Sequence, residues 1–90
     1  MNGQLRDGVV AVGGNARQQF HDARGYGTPD GGDAIRLSRV EAAHLLFRGD
    51  LDHIVDTDGT RLDFEAFFIA SASAVDRFAL RFLVYAELRD

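Results

Sequence analysis

The sequence predicts an α+β fold: a small, mostly antiparallel sheet of about four strands, with three to four helices packed mainly on one of its faces. Three observations predict it. Val9-Val10-Ala11-Val12 and Ile54-Val55 are short strand-like runs bounded by turn residues. Residues 39–48 place apolar side chains at helical spacing, behind a serine and ahead of a glycine. Finally, the succession of strand, capped helix, glycine stop and strand from residue 34 to residue 55 is a unit that only makes sense packed against a sheet.

Taken in order, Gln4-Leu5-Arg6 and Val9–Val12 flank Asp7-Gly8, a strong two-residue hairpin signal. Gly13-Gly14 should end the second strand. Asn15 is placed to cap a short helix over 16–24, with Ala16 and Phe20 turned inward. Gly25 to Asp33 holds four of the ten glycines and the only proline, and reads as a loop. A short strand, Ala34–Leu37, then feeds a central helix over 39–48. Ser38 is its N-cap, Glu41 completes an S-x-x-E capping box, and Gly49 suits the left-handed stop. Val40, Ala42, Ala43, Leu45, Leu46 and Phe47 make a wide inward arc on it. Glu41, His44 and Arg48 share a narrow stripe expected to face solvent.

The strand Asp52–Val55 follows, and Asp56 to Thr60 is a turn rich in side chains that bond their own backbone. Asp63 caps a helix over 64–70, which Ser71-Ala72-Ser73 is expected to break. Ser73 and Asp76 form a second box opening a last helix over 74–89. The predicted core is Val10, Val12, Phe20, Ile35, Leu37, Ala42, Leu45, Leu46, Phe64, Phe67, Phe68, Phe78 and Phe82.

That last helix has two apolar faces. Val75, Phe78, Ala79, Phe82, Tyr85 and Ala86 form a broad stripe. Leu80, Val84 and Leu88 form a second ridge at i, i+4, i+8, bordered by Arg77 and Arg81. A domain this small covers one side of a terminal helix; covering both calls for another domain or subunit.

Composition excludes several classes. No apolar run approaches the ~18 residues of a membrane span, and no signal peptide opens the chain. With no cysteine there is neither a disulfide framework nor a thiolate metal site. All ten basic residues are Arg, and eleven of the fourteen acids are Asp. Asp for Glu and no Lys suits a protein that stays soluble in concentrated salt, where screening is nearly complete within ~3 Å at 1 M. A GC-rich genome would favour the same Arg usage. The formal net charge of −4 is the wrong sign for nucleic-acid binding by bulk electrostatics.

Ile54-Val55-Asp56-Thr57-Asp58-Gly59-Thr60 resembles the hhDxDGT opening of haloacid dehalogenase-type phosphatases, where the first Asp attacks phosphate beside Mg²⁺. Only thirty residues follow it, too few to supply the other strands of that site, so it reads as an ordinary Asp-Gly turn. The same residues imitate a calcium loop, but Ile54 then falls at its first ligand position and cannot ligate. His21, His44 and His53 lack metal-ligand spacing, and His21-Asp22 reads as a charge pair. Gly25-Tyr26-Gly27 is a lone G-x-G with no strand before it, and Tyr26 and Tyr85 are expected to pack. No metal and no cofactor is expected.

Three stretches together carry a family resemblance. Leu37-Ser38-x-Val40-Glu41-Ala42-Ala43-x-Leu45-Leu46-x-x-Gly49-x-Leu51 resembles the LSLVEALYLL-x-x-G-x-L segment of archaeal tRNA-splicing endonucleases, in particular the haloarchaeal type. Upstream lie Gly25-Tyr26-Gly27, preceded by Phe20 and Arg24. Downstream, Arg81-Phe82-Leu83-Val84-Tyr85-Ala86-Glu87-Leu88-Arg89-Asp90 is similar to that family's RYLVYKDLR. The resemblance implies a tRNA-intron endonuclease N-terminal-like domain over 1–76, and over 77–90 the helix that opens a catalytic domain.

That family cuts bulge–helix–bulge precursor tRNA to a 2′,3′-cyclic phosphate and a 5′-hydroxyl, with a Tyr base, a His acid and a Lys that stabilises charge. This chain has no Lys and stops where the catalytic half is expected to begin, so no catalytic residue carries over. The implied role is assembly and substrate presentation in a cytoplasmic enzyme. The partner is then the catalytic domain of the same protein or a partner subunit, with a homo-oligomer also open. Precursor tRNA is met through the full enzyme and no membrane is involved. Leu80, Val84 and Leu88 would be the partner contacts, and Arg77 and Arg81 candidate RNA contacts. The second reading is a stand-alone interaction module of the same fold without nuclease activity, and the third a phosphate- or cation-handling protein using Asp56 and Asp58.

Overall fold

A computed structural model describes residues 1–89. Asp90, the last residue of the terminal motif and of the 77–90 segment, lies outside the described residues. Six strands, β1 (Gly3–Arg6), β2 (Val9–Val12), β3 (Thr28–Pro29), β4 (Ile35–Leu37), β5 (Ile54–Val55) and β6 (Arg61–Leu62), form one sheet in the order β3-β4-β2-β1-β5-β6. All pairs are antiparallel except β1 with β5. The helices are α1 (Arg39–Arg48), α2 (Phe64–Ala74) and α3 (Phe78–Arg89), with a π-helical segment at Arg17–Asp22.

The expected α+β class holds, with six strands where about four were predicted. The two extra strands, β3 and β6, have two residues each at the sheet's edges, too short to show alternation. Pro29 is tolerated there because an edge strand needs donors on one side only. The β1–β2 hairpin turns on Asp7 (φ 50°) and Gly8 (φ 82°), both left-handed, as a type I′ turn requires. β4 and β5 run in the same direction, and α1 carries the chain between them.

Side chains that point inward from the sheet (Leu5, Val10, Val12, Ile35, Leu37, Ile54) meet Ala42, Leu45, Phe67, Phe78 and Phe82 in one buried cluster. Ser38 accepts from the Glu41 N–H at 3.2 Å, and Glu41 Oε1 accepts from the Ser38 N–H at 3.0 Å, so the capping box is complete. Left-handed Gly49 (φ 84°) ends α1.

Four local expectations are corrected. Residues 16–24 are helical and bury Ala16 and Phe20, but no side-chain hydrogen bond caps the start, so Asn15 is not the cap in the expected sense. Ser71 to Ser73 do not break α2. Ser71 is buried and its hydroxyl accepts from Arg39 Nη1 at 3.1 Å, while Ser73 donates back to the Ile69 carbonyl at 3.2 Å. The Ser73–Asp76 box is absent, because Val75 is extended, Arg77 is left-handed (φ 58°), and α3 begins only at Phe78. Phe47, placed in the inward arc, is 63% exposed; it sits on the last turn of α1, with its ring centre 5.4 Å from that of Phe64 and 6.0 Å from that of Phe82.

Candidate docking face

α3 packs with α1 and α2 through Phe78 and Phe82, which are buried. Its opposite side is open. Leu80, Leu83, Val84 and Leu88 are 56%, 63%, 49% and 83% exposed, an apolar face running the length of the helix. Beside it lies a groove of about 490 Å³ lined by Arg77, Leu80, Arg81, Val84, Tyr85 and Leu88. All five predicted site residues thus line one feature. Ala79, which the pattern assigned to the inward stripe, is exposed. Leu83 was missed, though its i+3 spacing from Leu80 was available as a signal.

The last turn of α3 is fastened to the N-terminal half. Arg89 donates to the carbonyls of Arg24 (2.6 Å) and Gly25 (3.2 Å) and to the Tyr85 hydroxyl (3.0 Å). Its guanidinium lies 4.0 Å from the centre of the Tyr26 ring, a cation–π contact. Burial pushes the Tyr85 phenol up from its ordinary value, and the hydrogen bond from Arg89 opposes that rise.

Tyr26 is the hub beneath. It is buried, its hydroxyl is 2.8 Å from His44 Nδ1, and its backbone carbonyl is 3.1 Å from His21 Nδ1. Tyr85 meets both Tyr26 and His44 edge-on. His44 is therefore not on a solvated stripe: it is 1% exposed, held by Tyr26 between α1 and α3. Its neighbours in the stripe differ too, since Glu41 Oε2 accepts from the Gly27 N–H at 2.7 Å and ties the glycine loop to α1. Gly27 has φ 68°, and a Cβ there would stand 2.6 Å from the Arg36 carbonyl oxygen. The G-Y-G triplet thus exists to insert Tyr26 into the core. Asp22 pairs with Arg17 (3.9 Å) rather than with His21.

The Asp56–Thr60 turn joins β5 to β6. Asp56 Oδ1 accepts from the Thr57 N–H (2.7 Å), and Asp58 Oδ1 from the Thr60 N–H (3.0 Å). Hydrogen bonding from Thr60 lowers the Asp58 carboxyl below its usual range. One oxygen of each carboxylate is thus engaged by its own loop. His53 lies 3.2 Å from the Asn2 amide. The N-terminal ammonium donates to Asp52 at 2.9 Å and lowers its pKa. Among the described residues no helix is long and apolar enough to cross a membrane.

Residues 1–68 match the family described as tRNA intron endonuclease, N-terminal domain. The chain is 57% identical over 90 residues to a tRNA-splicing endonuclease of Halobacterium salinarum, covering 100% of this chain and 24% of the relative. It is 47% identical over 90 residues to that of Haloferax volcanii, again covering 100% of this chain and 24% of the relative. The relative from Methanosarcina barkeri is 36% identical over 90 residues, which are 100% of this chain and 25% of its own. The salt-adapted composition fits the haloarchaeal relatives. The chain spans about a quarter of the length of the curated relatives it matches. It belongs to the tRNA intron endonuclease N-terminal domain family.

Proposed function

We propose that this domain is the non-catalytic N-terminal part of a cytoplasmic tRNA-intron endonuclease that cleaves precursor tRNA at bulge–helix–bulge sites, and that its work is assembly. The observation that carries this reading is the open face of α3. Three large leucines and a valine exposed on a pinned helix lose free energy to water at roughly 25 cal/mol per Å² of apolar surface, and covering them recovers it. The family match ends at residue 68, before α3, which supports a seam near residue 76 with the helix of 77–90 shared with a catalytic domain. That domain sits in the same polypeptide or in a partner subunit, and precursor tRNA meets the assembled enzyme.

The test replaces the first quarter of the Halobacterium salinarum enzyme with this chain and introduces Leu80→Asp with Val84→Asp. Cleavage of a bulge–helix–bulge substrate should fall at least about tenfold, the equivalent of about 1.4 kcal/mol of lost coupling. The same pair should leave the thermal midpoint of the 90-residue domain nearly unchanged, because both side chains already face water. Unaltered cleavage would remove the assembly role. A chimera that never cleaves, while the free domain captures a separate subunit through this face, would favour the stand-alone interaction module instead.

A further inference from the structure

The two halves of α3 are held differently. The first half is seated by the buried rings of Phe78 and Phe82, against α1 and α2. After Phe82 no side chain of the helix is fully buried: Tyr85 and Ala86 are half-buried, and Leu88 is open to water. Apolar burial therefore grips one end of the helix, and the other could swing without uncovering the core.

Arg89 stands at that other end, and all three nitrogens of its guanidinium are engaged. Nε donates to the Tyr85 hydroxyl, Nη1 to the carbonyl of Arg24 and Nη2 to that of Gly25. Those two carbonyls lie where the helical segment over 16–24 ends. Gly25, left-handed at φ 74°, turns the chain out of it; its N–H donates to the His21 carbonyl, and the Tyr26 N–H donates to that of Phe20. The carbonyls that follow have no further helical turn to bond, and a guanidinium at a helix C-terminus supplies both donors and a favourable charge. Arg89 thus caps the first helical segment from 64 and 65 residues away. The Tyr26 ring completes the arrangement, its centre 4.0 Å from the Arg89 guanidinium and 5.4 Å from that of Arg24. A planar fork meets two carbonyls and a ring face together; a lysine ammonium is a point charge and does not.

The distance involved is enough to matter. From Phe82 to Arg89 is about 10 Å of helix at ~1.5 Å per residue, so a swing of ~10° about Phe82 moves the far end by ~2 Å. A displacement of about 1 Å at reacting groups can cost roughly 10²-fold in rate.

We infer that Arg89 is a positioning residue: it fixes the direction in which α3 leaves this domain, and so the placement of the catalytic groups that follow. The inference rests on the reading above, in which α3 leads into a catalytic domain.

The chain has no cysteine, so spin labels at Arg6→Cys on β1 and Glu87→Cys on α3 report the angle directly. Electron–electron double resonance on the 90-residue chain should give a narrow distance distribution. Arg89→Gln should broaden it at least about twofold, and Arg89→Lys nearly as much, while the thermal midpoint stays within about 5 °C. In the chimera with the Halobacterium salinarum enzyme, Arg89→Gln should lower kcat about tenfold at unchanged KM, since placement of the reacting groups is lost and substrate binding is not. Full rescue by Lys, a midpoint lowered by more than about 10 °C, or an effect on KM alone each overturns the inference. So does undiminished kcat from a chimera whose helix has become loose, or a chimera inactive with Arg89 in place. A distribution that stays narrow without Arg89 overturns this inference and leaves the assembly role intact, because that measurement does not depend on Leu80 and Val84.

Discussion

Helices α1 and α3 begin from similar sequences and reach different ends. Each carries apolar side chains around more than half of its circumference. α1 has the sheet on one side and α2 and α3 on the other, so five consecutive residues, Ala42 to Leu46, are buried. α3 has α1 and α2 on one side only, and buries just Phe78 and Phe82. A broadly apolar helix is thus a request for two neighbours. Whether the request is met within the chain is decided by topology, since α1 is threaded through the middle of the fold and α3 lies at its margin.

The contrast is broken or confirmed most directly by truncation on the two sides of α3. Phe78→Ala should cost about 3–5 kcal/mol of unfolding free energy, as buried phenylalanines do. Leu88→Ala should stay within about 0.5 kcal/mol, measured by urea titration of the same domain. A comparable loss at Leu88 would mean that the outer face is covered in solution. Next comes the loop on which both helices close. Gly27→Ala should lose about 2 kcal/mol or more, because it meets both left-handed strain and the Arg36 carbonyl. Tyr26→Phe should cost about 1–2 kcal/mol, since it strips the buried His44 Nδ1 of its hydroxyl partner, and a shift of the His44 ring resonances would report it.

The smallest effect lies away from both helices. Asp52 and Asp58 have lowered folded pKa values, so each contributes stability that is present above the ordinary carboxylate range and lost as pH falls through the lowered folded value. Both are fully exposed, so the contribution is minor. Asp52→Asn and Asp58→Asn should flatten the acid limb of the stability–pH curve slightly, whereas changes on the outer face of α3 should leave that limb alone.

The sequence made the class, the hairpin, the central capped helix and the second ridge of α3 readable, because each rests on a local pattern: D-G, S-x-x-E with a following glycine, and an i, i+4, i+8 repeat. What it hid were pairings across long sequence separation. His44 was assigned to a solvated stripe because its neighbours on the wheel are charged. Its hydroxyl partner is eighteen residues away and reaches it only because Gly27 lets the loop approach β4 closely. Ser71 and Ser73 looked like breakers because their hydroxyls could have bonded a non-helical backbone; they are instead committed to Arg39 and to the helix itself. The two edge strands are shorter than any period that pattern reading detects.

The grip of Arg89 has a mechanical corollary. A load applied to the outer face of α3 reaches the carbonyls at 24 and 25 and the Tyr26 ring through one guanidinium, beside the path through Phe78 and Phe82 into α1 and α2. An occupant of that face therefore braces the aromatic hub as well as covering leucines. By mass action, the domain's melting temperature should then climb with the occupant's concentration, which makes heat resistance a gauge of engagement.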